Sequence, residues 1–153
     1  MPLVIEIENP LKDDLAKILT THLEFCKSVT PAENVYALEV ENLVSNDITV
    51  FGARENGQLI GVGALRQLDS DHAELKSMHT LEAFRGAGAG SAIVSHILDF
   101  ARAKGISRVS LETGNFEEFA PARSLYLSFG FKECEVFGEY LPSSVSVCMT
   151  KSL

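Results

Sequence analysis

The residues best suited to chemistry form one run: Arg85, Gly86, Ala87, Gly88, Ala89, Gly90 and Ser91. Glycine lets backbone N–H groups approach a ligand closely because no Cβ stands in the way. The run leads into a helical stretch, and a helix start offers unbonded N–H groups and the positive end of the peptide dipoles. Arg85 adds a full positive charge. The combination is an anion cradle suited to a phosphate group. A dinucleotide fingerprint would need a glycine where Ser91 stands, and a P-loop would need a Gly-Lys-Ser/Thr ending that the run lacks. A glycine-rich turn that holds no ligand is the remaining alternative.

Hydrophobic periodicity supplies the elements that must position this loop. Leu3–Ile7 alternates apolar and acidic residues as a strand does. Asn9-Pro10 reads as a cap and first-turn proline. Leu11, Leu15, Ile18, His22 and Phe25 then follow at helical spacing to about Lys27, and Pro31 ends the helix. A shorter helix is expected around Val35, Leu38 and Leu43. Ile48–Ala53 and Leu59–Leu68 are strands joined through Asn56-Gly57, a strong hairpin signal because both residues tolerate positive φ. After a turn at Asp69–Asp71, Ala73–Thr80 is a third strand of this meander. Gly88–Lys104 carries Ile93, Ile97 and Phe100 at helical spacing, and Gly105 stands where a left-handed C-cap belongs. A strand at Arg108–Glu112, a helix at Pro121–Phe129 ended by Gly130, and strands at Phe131–Phe137 and Val145–Thr150 complete the chain. The fold class is therefore α/β, an α+β mixed sheet that is mostly antiparallel. The strand–helix–strand crossover of residues 73–112 must create one parallel pair.

The Arg-x-x-Gly-x-Gly spacing at Arg85, Gly88 and Gly90, set after a strand, resembles the acetyl-CoA signature of the GCN5-related N-acetyltransferase (GNAT) superfamily. Ala73-Glu74-Leu75-Lys76-Ser77-Met78 resembles that family's fourth strand, and Leu125–Phe131 resembles its late L-Y-x-x-x-G-F helix end. Glu112–Gly114 and Phe119–Tyr126 resemble a bacterial subgroup of small members. The likeness covers essentially the whole chain. It implies acetyl-CoA as acyl donor, with the pyrophosphate on the backbone of Arg85, Gly86, Ala87, Gly88, Ala89, Gly90 and Ser91. It further implies a pantetheine arm beside Met78, His79 and Thr80, where the fourth and fifth strands diverge. Tyr126 matches the tyrosine that in many members protonates the departing thiolate, and Glu74 a carboxylate that in some members is the general base. Many members place an asparagine seven residues before the tyrosine, against the cofactor arm. Phe119 occupies that slot here, and Asn115 is the nearby candidate.

The residues themselves leave roles open. A thioester is already activated, so the catalyst must position the partners, deprotonate an amine with a pKa of about 10.4, and return a proton to the thiolate. Glu74 could accept that proton or could be a strand carboxylate paired with Lys76. Tyr126, with an ordinary pKa near ~10, could donate one or could be a core tyrosine. Candidates for the acceptor pocket are His22, Phe25 and Cys26, the Thr30–Leu38 segment with Glu33 and Tyr36, and the loop near Tyr140. The expected reaction is direct transfer to a primary amine of a small molecule or peptide. Rivals are a CoA-binding regulatory module without turnover and transfer to oxygen or of another acyl group.

Composition narrows the field. The 153 residues fit one acetyltransferase domain over 1–153, and 46% hydrophobic content is enough for a packed core. A net charge of −8 disfavours nucleic acid, which needs clustered Lys and Arg. No apolar run approaches the ~20 residues of a membrane span. The segment from Met1 to Glu6 lacks the basic and apolar regions of a signal peptide, so a cytoplasmic location is expected. Cys26, Cys134 and Cys148 show no C-x-x-C spacing, and the four histidines no H-x-x-x-H pair, so no metal is expected. A homodimer is compatible with the sequence without being specified by it.

Overall fold

In the computed structural model, which describes residues 3–153, one seven-stranded sheet is flanked by three helices. Met1 and Pro2, the start of the N-terminal segment read above, lie outside the described residues. The strands are β1 (Leu3–Ile7), β2 (Ile48–Glu55), β3 (Gln58–Gln67), β4 (His72–Thr80), β5 (Arg108–Gly114), β6 (Lys132–Cys134) and β7 (Ser146–Ser152). The helices are α1 (Asp13–Val29), α2 (Ala89–Ala103) and α3 (Ala120–Ser128). Spatial order is β1-β2-β3-β4-β5-β7-β6, and every pairing is antiparallel except β4 with β5. The expected mixed sheet with one parallel pair is the observed one.

Period-2 alternation gives the sheet two faces. On one face, Phe51, Leu65, Leu75, Val109, Leu111 and Met149 pack with Ile93, Val94, Ile97 and Leu98 of α2, all at most 3% exposed. On the other, Val50, Leu59, Val62 and Ala64 pack with Leu15, Ile18 and Leu19 of α1. Full burial of each large aliphatic side chain contributes about 1.5–3 kcal/mol before entropy is charged against it. The Asn56-Gly57 turn has φ of 53° and 82°, as the hairpin signal requires. Gly105 at φ 78° caps α2 while Ile106 N–H donates to the Ala101 carbonyl, a Schellman-type ending.

Three local expectations are corrected. Asn9 does not cap α1: its side chain accepts from Leu11 N–H in an Asx turn, and the helix begins at Asp13 without a side-chain cap. The helix expected around Val35–Leu43 is absent. Two 3₁₀ turns, Ala32–Asn34 and Val40–Leu43, flank an extended stretch. Only Leu43 of this segment is fully buried, so no continuous apolar stripe holds a longer helix. The strand expected over Phe131–Phe137 shortens to Lys132–Cys134, and the chain then leaves the sheet edge as a long loop.

Two irregularities shape the centre of the sheet. β4 and β5 pair only through His72–Arg108, Ala73–Val109 and Glu74–Ser110, and then separate. Within β4, the register against β3 slips between Val62 and Ala64, where β4 uses one extra residue and Ser77 takes φ 55°. This is a β-bulge, and it reverses which face the following side chains meet. Met78 therefore packs with the α2 core while His79 turns toward α1. Gly63, opposite the bulge, has no room for a side chain: a Cβ there would lie 2.6 Å from the Met78 sulfur and 2.8 Å from Ile93.

Candidate active site

The gap between β4 and β5 opens into a cleft of about 540 Å³. One wall is the glycine loop. Gly86 and Gly88 adopt φ of 81° and 89°, and no atom lies within 4 Å of where their Cβ atoms would be. Gly88 is the N-cap of α2 and supplies no side-chain hydrogen bond. The first helical bond runs from Ala92 N–H to the Gly88 carbonyl, so the N–H groups at the start of α2 keep their donors for something else. Arg85 is anchored by Nε to the Thr80 carbonyl at 3.0 Å. An uncapped, left-handed glycine entry to a 15-residue helix fits a pyrophosphate.

The same cleft is lined by Met78, His79, Thr80, Arg85, Gly86, Gly88, Ala89, Gly90, Ser91 and Tyr126, so the structure brings together ten of the residues singled out from sequence. Ala87, Asn115 and Glu74 are not among its lining residues. Asn115 instead sits at the end of β5, its backbone N–H bonded to the Val145 carbonyl at 2.9 Å. Phe119 does line the cleft, and its ring occupies the space that a Cβ on Gly114 would need. Tyr126 is held on the short helix α3 with its ring against Phe131, and burial pushes its phenol pKa well above the ordinary value.

The far side of the cleft has a different character. α1 covers the sheet only as far as β4. Beyond it, the inward positions of β4 and β5 are polar: Glu74, Lys76, Ser110 and Glu112. Glu74 is 3% exposed, accepts a hydrogen bond from the Tyr140 hydroxyl, and lies 3.7 Å from the Lys76 ammonium. It is thus spoken for. Glu112 faces the cleft, and its carboxyl pKa rises to about 7. Desolvation is the main cause and the neighbouring Glu74 charge the second, with Lys76 and the Ser146 hydroxyl opposing. A carboxyl held near neutrality can take up or release a proton at physiological pH.

Above these carboxylates, the 135–145 loop and the irregular segment after α1 make a roof. Tyr140 from the first meets Tyr36 from the second edge to face, with ring centroids 4.7 Å apart, and Phe137 meets Tyr140 at 5.1 Å. Burial raises the Tyr140 phenol pKa far above its usual range, and the Glu74 charge adds to it. On the α1 side, Phe25 meets Phe119 at 5.4 Å. The Nδ1 atoms of His22 and His79 are 3.1 Å apart, one donating to the other, and Cys26 Sγ lies 3.7 Å from His22 Nε2. Burial depresses both histidines to about 4, so the pair is neutral at physiological pH. Burial and the Glu112 charge raise the Cys26 thiol to about 11, which keeps it a protonated, weak nucleophile.

Sequence reasoning placed His22, Phe25, Cys26, Tyr36 and Tyr140 among the acceptor-side candidates, and all five line the cleft. Glu33 does not. Glu112, which also lines the cleft, was not singled out from sequence. Its signal is the polar alternation Ser110-x-Glu112, which parallels Glu74-x-Lys76 on the neighbouring strand and marks a sheet face that no helix covers.

A glycine-rich helix start beside a split sheet has the room and the donors to hold an acyl-CoA, and comparison with known proteins identifies the family. Residues 13–131 match the Acetyltransferase (GNAT) family. The chain is 39% identical over 149 residues to the N-acetyltransferase YsnE of Bacillus subtilis, covering 97% of this chain and 99% of that one. It is 38% identical to the N-acetyltransferase YedL of Escherichia coli K12, over 80% and 77% of the two chains. A GNAT family acetyltransferase of Elizabethkingia anophelis, solved with acetyl-CoA bound, superposes with a TM-score of 0.72 at 16% identity, over 99% and 98% of the chains. The protein belongs to the GNAT family and is an N-acetyltransferase.

Proposed function

We propose that the protein transfers the acetyl group of acetyl-CoA directly to a primary amine of a small molecule or peptide. The observation that carries this reading is the meeting, in one cleft, of the uncapped start of α2, the β4–β5 gap and a carboxyl that titrates near neutrality. The backbone N–H groups from Gly86 to Ser91 and the Arg85 guanidinium hold the pyrophosphate. Met78, His79 and Thr80 border the arm that leads to the thioester.

Glu112 accepts the proton of the incoming ammonium, directly or through water. Glu74, assigned that role on family resemblance, is already tied to Tyr140 and Lys76, and acts instead through its charge by raising the basicity of Glu112. Tyr126 holds its proton throughout the physiological range and donates it to the thiolate, whose own proton affinity rises in the same dry surroundings. Cys26 remains a thiol, so the acceptor attacks the thioester itself without an acyl-enzyme step. No helix among the described residues is long and apolar enough to cross a membrane. We take residues 1–153 as one catalytic domain working in the cytoplasm.

The test is a titration with CoA and acetyl-CoA by thermal shift and calorimetry, followed by a panel of amines with detection of released thiol. A ligand at 100 times its Kd stabilises the fold by about 2.7 kcal/mol. A folded protein whose melting temperature does not move in millimolar CoA refutes the donor assignment. Donor binding without acetylation of any amine refutes the acceptor assignment.

A further inference from the structure

The acceptor side of the cleft carries a pattern of charge and ring that nothing so far has used. Beside Glu112 stand the charged Glu74 and Lys76, with the neutral His22, His79, Cys26 and Tyr140 around them, and the cleft is also lined by Arg85 and Glu118. Lys76, 9% exposed, is matched by Glu74 in the one ion pair of this group. Glu112 is left without a cation of its own. A partly buried carboxylate of this kind is a standing cost, and a cationic ligand group removes it. The cleft that Glu112 lines is also lined by four aromatic rings in two edge-to-face pairs, Phe25 with Phe119 and Tyr36 with Tyr140. Pockets that recognise small molecules combine such apolar walls with a few placed polar groups.

We infer that the acceptor is an aryl-alkyl primary amine, its ammonium drawn to Glu112 and its aromatic ring seated among Phe25, Phe119, Tyr36 and Tyr140. This rests on the acetyl-transfer reading above for the fate of the amine, but the recognition itself is a matter of binding. The ammonium gives Glu112 the cationic partner that Lys76 gives Glu74. The rings supply π-faces and edges for the aryl group, and the ammonium gains further from aromatic faces near it. Each of these gains is lost separately, the first by removing the charge and the second by removing the ring.

The experiment measures binding to the protein–CoA complex by calorimetry at pH 7.5, with three probes: phenethylamine, n-butylamine and 3-phenylpropionate. Phenethylamine is expected to bind at least tenfold more tightly than either of the others. Glu112→Gln is expected to weaken phenethylamine at least tenfold, and Tyr36→Leu to weaken phenethylamine while leaving n-butylamine within twofold. Circular dichroism and CoA affinity check that each variant is folded. Equal affinities for phenethylamine and n-butylamine overturn the inference, as does tighter binding of the carboxylate or no binding of phenethylamine. Thiol release is followed separately. Tight phenethylamine binding without acetylation supports the recognition and refutes the transfer reading, whereas acetylation of amines regardless of a ring does the reverse.

Discussion

Replacing Glu112 by glutamine should make the protein more stable, and only above a certain pH. A carboxyl whose pKa is raised by folding opposes folding once it must ionise, because the unfolded chain gives up its proton more readily. For Glu112 the opposition begins near the unfolded value of 4.5 and is complete above the folded value of about 7. The interval corresponds to ~3 kcal/mol at about 1.36 kcal/mol per pH unit, and partial exposure of the carboxylate brings this to about 2–3 kcal/mol. Glutamine keeps the shape and cannot ionise, so the variant should gain that amount at pH 8. At pH 5 the gain should be below about 1 kcal/mol, and below pH 4.5 it should vanish. In a chain of this size each kcal/mol moves the melting temperature by about 2–4 °C, so a rise of roughly 4–12 °C at pH 8 is expected. Urea unfolding of both proteins at pH 8 and pH 5, with thermal melts alongside, measures the difference. The same variant should lose turnover by about 10²–10⁴-fold, the usual scale of a general base. A variant equally stable at pH 8, or one whose stabilisation does not depend on pH, would refute the claim that this carboxylate is held against its own solvation.

Other perturbations reach other parts of the site. Gly88→Val should abolish CoA binding in calorimetry, because a β-branched residue resists φ 89° and its side chain would fill the open approach to the helix start; unchanged affinity moves the donor site elsewhere. Tyr126→Phe should lower kcat at least tenfold with little change in CoA affinity, and wild-type turnover across the pH range would make Tyr126 a packing residue. Acid should destabilise the fold through His22: its pKa drops from 6.5 to about 4 on folding, so the stabilisation is complete above pH 6.5 and lost as pH falls toward 4. That amounts to about 2 kcal/mol at pH 5, and His22→Gln should flatten the corresponding slope in urea unfolding between pH 7 and pH 5. Gly63→Ala should cost about 1–3 kcal/mol by overpacking against Met78 and Ile93, read as a lower urea midpoint with unchanged m-value.

The proposed donor half of the site was legible in the sequence because its chemistry is local. A glycine loop, a helix start and one arginine are contiguous, so Arg85–Ser91 announces itself without knowledge of the fold. The strands and the long helices were legible for a similar reason, since α2 carries an uninterrupted apolar stripe from Ile93 to Ala101. The opposite side of the cleft was legible only in part: His22, Phe25, Cys26, Tyr36 and Tyr140 stood out in the sequence, and Glu112 did not. The Glu112 carboxyl is raised by burial in the cleft wall and then by the charge of Glu74 on a different strand, and neither fact is written in the neighbourhood of residue 112. The failed helix near Val35 has the same origin: Val35, Tyr36 and Ala37 serve as cleft wall, not as core, so their apolar character carried no helical period. The Ser77 bulge is also silent, as nothing about a serine in a strand signals positive φ.

The roof over Glu112 has a consequence for how such a protein can change. Tyr36 and Tyr140 belong to stretches with no ladder of backbone hydrogen bonds, joined to each other by ring contact and the Asn34–Ser143 bond, and to the sheet by the Tyr140–Glu74 and Asn115–Val145 bonds. Insertions, deletions and side-chain swaps in these two stretches leave the register of every strand untouched. The proposed grip on the donor, by contrast, is built from backbone at the start of α2, where Gly86 and Gly88 hold a positive φ that other residues resist. A lineage can therefore exchange one clientele for another by redrawing about twenty residues of irregular chain. The machinery that supplies the acetyl group comes along unchanged.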